Sequence, residues 1–120
     1  MENPRFKFEK LKIWKRAMDL GEELVSMSRI FPNDEKYNLS SQLSRAIDSV
    51  ALNISEGSIL QSDLEQRKFL GYAIRSLAEV VTCLHKAKRR NYIEVSIFDK
   101  HYYESHNLMN MMVAFRNTIK

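Results

Sequence analysis

The sequence predicts an all-α fold: a single-domain, antiparallel, up-down-up-down four-helix bundle that self-associates. Three observations carry that expectation. Glycine and proline are scarce, three and two in 120 residues, so few tight turns are available and a few long helices are favoured over many strands. Apolar residues recur at three- and four-residue steps through four segments, about 9–30, 37–56, 63–90 and 97–118, which is the period of an α-helix. The connections between them are short, which sets successive helices side by side and antiparallel. Residues 1–8 lack the period and read as a short arm.

In the first segment Leu11, Trp14, Ala17, Met18, Gly21, Leu24 and Val25 form the apolar stripe, with Ile13, Leu20 and Met27 beside it. Together they cover more of the circumference than one bundle face requires, a surplus that points to a subunit contact. Phe31-Pro32-Asn33-Asp34 is a turn, because the residue before proline avoids helical geometry and Asn and Asp suit turns. The second segment carries Leu39, Leu43, Ala46, Ile47, Val50 and Ile54 as its core line. Gln42, Arg45, Ser49, Asn53 and Glu56 run parallel to it as a wholly polar line, and Gly57 is read as a left-handed stop. Ser62-Asp63-Leu64-Glu65 has the form of a capping box opening the third helix. There Phe69, Leu70, Ala73, Leu77, Val80, Val81 and Leu84 face inward, Cys83 points away from them, and Asn91 marks the end. Ser96-Ile97-Phe98-Asp99 repeats the box before a fourth helix with two apolar lines. One is Phe98, Tyr102, Met109 and Val113; the other, Leu108, Met111, Phe115 and Ile119, is either a subunit interface or a wider wrap of the bundle.

A hydrophobic content of 44% with 28% charged residues is that of a soluble globular protein, and the length suits one core. Uncharged runs fall far short of the roughly 20 apolar residues of a membrane span, and MENPRFKFEK is too charged for a secretory signal. A cytoplasmic protein with no membrane partner is expected. Cys83 is alone, which rules out an internal disulfide and fits a reducing compartment.

The net charge of +4 is modest but clustered. Arg5, Lys7, Lys10, Lys12, Lys15 and Arg16 crowd the start, and Lys86, Lys88, Arg89 and Arg90 crowd the end of the third helix. Clustered cations attract polyanions such as RNA. At a helix C-terminus the macrodipole alone accounts for them, whereas at an N-terminus cations oppose it and need another reason. Catalysis would leave a spacing, and none is found. The three glycines are far apart, so no phosphate loop exists, and His101 and His106 stand five residues apart rather than four. No catalytic residue, metal site, cofactor or small-molecule substrate is expected. The polar line of helix two is either a hydrogen-bonded docking ladder, with Arg45 meeting Glu79 or a neighbouring subunit's Glu56, or a strip facing a ligand or RNA.

The run SQLSRAIDSVALNISEG, preceded by FPNDEKYNL and followed by FLGYAIRSLAEV, resembles the 23S rRNA intervening-sequence protein family, and FEKLKIWKRAMDL resembles that family's first helix. The family's mid-helix proline is replaced here by Val50-Ala51-Leu52, which implies a straighter second helix. Its usual alanine before Glu-Gly is Ser55. The resemblance implies a non-enzymatic bacterial bundle that assembles with itself into a ring-like pentamer and has nucleic-acid-binding relatives. On that basis structured RNA or DNA is the expected partner, with Lys10, Lys12, Lys15, Arg16, Lys86, Arg89 and Arg90 on the phosphates. A protein-interaction scaffold whose basic ends are incidental is the competing expectation.

Overall fold

The computed structural model of the chain describes residues 3–59 and 62–119. Among the described residues there are four α-helices and no strands: α1 Lys12–Ser28, α2 Leu39–Gly57, α3 Asp63–Arg89 and α4 Val95–Asn117. Single 3-10 turns at Lys7–Lys10 and Asn33–Glu35 lead into α1 and α2. The expected first helix is therefore divided. Leu11 is extended, the Glu9 carboxylate accepts from the Phe6 amide at 3.1 Å, and the Phe8 ring meets Trp14 with centroids 5.2 Å apart. Residues 6–10, which include the end of the expected arm, are folded back onto the helix; residues 1 and 2 of the arm lie outside the described residues.

The buried line of α1 is Ile13, Ala17, Leu20, Leu24 and Met27, an unbroken alternation of four- and three-residue steps. It is rotated from the expected stripe. Because α1 packs against both α2 and α4, its inward direction bisects the two, and Trp14, Met18 and Val25 are left on the flank. The apolar surplus is real, but it lies on that flank.

In α2 every residue of the expected core line is buried, joined by Ala51, and the helix runs without interruption through Val50-Ala51-Leu52. Gly57 is the last residue of α2, but glycine stands there for a different reason from the one expected. No glycine has a positive φ, so no left-handed cap forms there. A Cβ at Gly57 would stand 2.8 Å from the Phe69 Cβ, and glycine is required because α2 and α3 cross closely at that point.

Ser62 caps α3, its Oγ accepting from the Glu65 amide at 3.2 Å. The inward face comprises Leu70, Ala73, Ser76, Leu77, Val80, Cys83, Leu84 and Ala87. Cys83 is thus a core residue, 5% exposed, contrary to the expected outward placement; it continues the three- and four-residue steps from Ser76 and Val80, a path disguised by the serine. The helix ends as expected at Asn91, whose φ is 60°. Tyr92 N donates to Ala87 O at 2.9 Å and Asn91 N to Lys88 O at 3.0 Å, the paired bonds of a Schellman motif.

The expected box at Ser96 does not cap α4. The helix begins at Val95, with Glu94 as its N-cap. Its core line is Phe98, His101, Ser105, Leu108 and Met112, concealed in the sequence by two polar members. Ser105 is satisfied within the helix, its hydroxyl donating to His101 O at 2.7 Å. Leu108 is wholly buried and cannot belong to a subunit interface, while Met111, Phe115 and Ile119 are partly buried against the protomer's own core. At the far end Arg67 of α3 donates to Arg116 O at 2.9 Å and to Ile119 O at 2.8 Å, closing the last turn of α4 from outside. No helix among the described residues is long and apolar enough to cross a membrane.

Candidate functional site

The two basic clusters have different fates. Lys10, Lys12, Lys15 and Arg16 are all exposed, and among the described residues none forms an ion pair. Lys12, Lys15 and Arg16 share one face through three- and four-residue spacing. The first turn of α1 holds no carboxylate, so positive side chains stand where the helix already presents partial positive charge.

The second cluster is largely engaged within the chain. Arg90 Nη1 lies 2.7 Å from Glu35 Oε2, and Lys88 Nζ sits 4.4 Å from the Phe98 ring centroid. Lys86 is half-buried against α2, which leaves Arg89 as the member of the predicted trio with Arg90 and Lys86 that is exposed and, among the described residues, forms no ion pair. The buried Glu35 carboxylate also accepts from Tyr92 Oη, from Asn38 Nδ2 at 2.9 Å and from the Leu39 amide at 3.4 Å. These donors, the Tyr92 phenol foremost, hold its carboxyl below the usual carboxylate range. The same bond raises the Tyr92 phenol. Glu35 is a structural hub that sequence reading missed, because two of its partners, Arg90 and Tyr92, lie more than fifty positions away.

The polar line of helix two is divided in role. Ser49 Oγ lies 2.8 Å from Ser76 Oγ of α3, and Asn53 Nδ2 donates to Ser49 O at 2.9 Å and Ser49 Oγ at 3.0 Å. In that half the Ser49–Ser76 bond crosses to α3 and the Asn53 bonds stay within α2. Gln42 and Arg45 instead line an open groove of about 570 Å³ between α2 and α3, shared with Glu79, Thr82, Cys83 and Lys86. Arg45 Nε reaches only its own helix, Ser41 O at 3.4 Å, and no ion pair joins it to Glu79 among the described residues. Glu56 is exposed at the end of the line, beside a smaller hollow that also touches Arg45 and Asn53. Cys83 forms part of the groove floor, and burial pushes its thiol up, which favours the neutral thiol.

On the opposite flank of α2, a more apolar hollow of about 450 Å³ is bounded by Phe8, Trp14, Met18, Val25 and Leu52. Met18 and Leu52 are 43% and 61% exposed. This surface, rather than the line through Leu108, places exposed Met18 and Leu52 beside partly buried Phe8, Trp14 and Val25.

The 23S rRNA-intervening sequence protein family matches residues 9–114. The chain belongs to that family. A crystal structure of a protein with unknown function from the S23 ribosomal protein family, from Bacteroides thetaiotaomicron VPI-5482, shares the all-helical fold with a TM-score of 0.80. Its sequence is 19% identical, and the match covers 88% of this chain and 95% of that one. No curated protein matches the chain. In this member of the family the uninterrupted α2 keeps Ser49 and Asn53 in register with Ser76 on the helix it docks against.

Proposed function

We propose that this intervening-sequence family member is a non-catalytic, cytoplasmic, homo-oligomeric bundle of up-down-up-down topology that binds the phosphate backbone of structured RNA or DNA. The observation that carries the reading is the exposed group Lys10, Lys12, Lys15 and Arg16, unpaired among the described residues. Four cations against the helix dipole are mutually repulsive in the free protein, and a polyanion relieves that repulsion while releasing its own counterions. Arg89, with Lys86 and Arg45 along the groove, extends the positive surface at the other end of α3. Arg90 contributes less, because its guanidinium is held by Glu35.

The test is fluorescence anisotropy of a labelled RNA hairpin and a matched DNA duplex, titrated between about 50 and 200 mM salt, where phosphate-driven binding falls steeply. A Lys12→Gln/Lys15→Gln/Arg16→Gln variant is expected to flatten the log–log salt slope by about 0.7–0.9 for each phosphate that is no longer neutralised. A Lys86→Gln/Arg89→Gln variant is expected to change it less. Equal binding by the wild type and the first variant would sink this assignment of the phosphate face. No binding to either probe at physiological salt would sink the nucleic-acid reading and leave a protein scaffold.

Self-association is supported by the apolar α1–α2 flank and by the resemblance to ring-forming relatives, which favours a pentamer. The scaffold reading rests on the same flank with a different protein as occupant.

A further inference from the structure

We infer that Glu23 of α1 and His101 and Glu104 of α4 form a binding site for a divalent transition-metal cation of the zinc class. Each offers one ligand atom, and the three atoms lie within 4.8 Å of one another. His101 and Glu104 are one turn apart on the same face, with Nδ1 and Oε1 at 3.1 Å. Glu23 is brought to them from the neighbouring helix. One imidazole nitrogen and two carboxylate oxygens make a donor set that suits zinc, cobalt or manganese better than calcium or magnesium, which prefer oxygen alone.

The surroundings fit a metal with an open position. The His101 side chain is 6% exposed, so its ring is held by packing, and among the described residues it makes one hydrogen bond, to Glu104. It forms the inner wall of a shallow hollow of about 560 Å³, with Glu22, Ser26, Met27 and Ile97 around it. That hollow gives a cation its way in and leaves room for water on the remaining coordination positions. Two carboxylates this close repel unless positive charge stands near them. Lys100 now supplies it, with Nζ 3.4 Å from Glu23 Oε1 on a side chain that is 63% exposed. Such a chain is free to swing into solvent when a doubly charged ion arrives. Zinc bound tetrahedrally at about 2.0–2.2 Å sets its ligand atoms roughly 3.3–3.6 Å apart. The two glutamates are partly exposed, so a change of side-chain rotamer is open to each for that closure.

The site is independent of the proposed phosphate face. Spacing along the sequence relates the histidines only to each other and to Cys83, and it hides this site because the decisive partner comes from another helix. The local signal is a His-x-x-Glu pair on α4.

The test is calorimetric titration of chelator-treated full-length protein with Zn²⁺, with Co²⁺ absorption as an independent readout. Uptake of one equivalent is expected, with a thermal midpoint that rises with zinc concentration. Glu23→Gln and Glu104→Gln, at partly exposed positions that leave the core untouched, are each expected to weaken binding about tenfold or more, as loss of a ligand or its support does elsewhere. Lys100→Ala is expected to tighten it by removing the competing cation. Cys83→Ser and His106→Gln are expected to leave it unchanged. Absence of stoichiometric uptake, uptake that survives both glutamate substitutions, or uptake abolished by Cys83→Ser would each overturn the proposal.

Discussion

Glu35 shows how much one side chain settles at the residue scale. It lies in the 3-10 turn before α2, yet its oxygens gather donors from Asn38, Leu39, Arg90 and Tyr92. Its folded-state pKa is lowered, so its contribution to stability is present above the unfolded carboxylate value and is lost as pH falls through the lowered one. The Tyr92 phenol is raised, so its contribution is present below the ordinary phenol value and is lost as pH rises through the raised one. Thermal melts across pH are expected to show Glu35→Gln with a lower midpoint at neutrality and a flatter acid limb than the wild type. Tyr92 in that variant is expected to titrate nearer the ordinary phenol value by ultraviolet absorption. An unchanged acid limb would remove Glu35 from the account. Single residues were legible where their own backbone chemistry decides the outcome, as at Asn91 with its positive φ. They were illegible where a distant partner decides, as for Glu35, Arg90 and the Glu23–His101–Glu104 cluster.

Among elements, the closest constraint is the crossing of α2 and α3. Gly57→Ala places a Cβ 2.8 Å from the Phe69 Cβ, and neither atom is the loose end of a flexible chain. The variant is expected to lose about 1–3 kcal/mol in chemical denaturation, the usual cost of overpacking a fitted contact. Full stability in Gly57→Ala would mean that the helices part there without penalty. Four helices were readable because their periods are long and glycine and proline are few. Which face points inward was readable for α2, where the core line is purely apolar, largely readable for α3, where Leu70, Ala73, Leu77, Val80 and Leu84 are buried as expected and Cys83 is the exception, and misread for α4. The lines of α3 and α4 pass through Ser76, His101 and Ser105, and apolar counting skips such positions. The rotation of α1 was hidden for another reason: its direction depends on packing between two neighbours, which no single helix encodes.

For the whole molecule, the surface divides by chemistry. The end of the 43 Å long body that carries the start of α1 holds the exposed cations Lys10, Lys12, Lys15 and Arg16, while the α1–α2 flank holds exposed Met18 and Leu52. Leu52→Glu, at a position already 61% exposed, is expected to preserve the helical circular dichroism and to shift sedimentation toward the monomer. Unaltered sedimentation of a self-associated species would move the contact elsewhere on the surface. The Glu35 hub has a further meaning at this scale. One carboxylate fastens the entry to α2 and, through Arg90 and Tyr92, the exit from α3, so that end of the bundle has a common latch. Amides around Leu39 and Ile93 are therefore expected to exchange hydrogen together, as one unit that opens when the latch lets go.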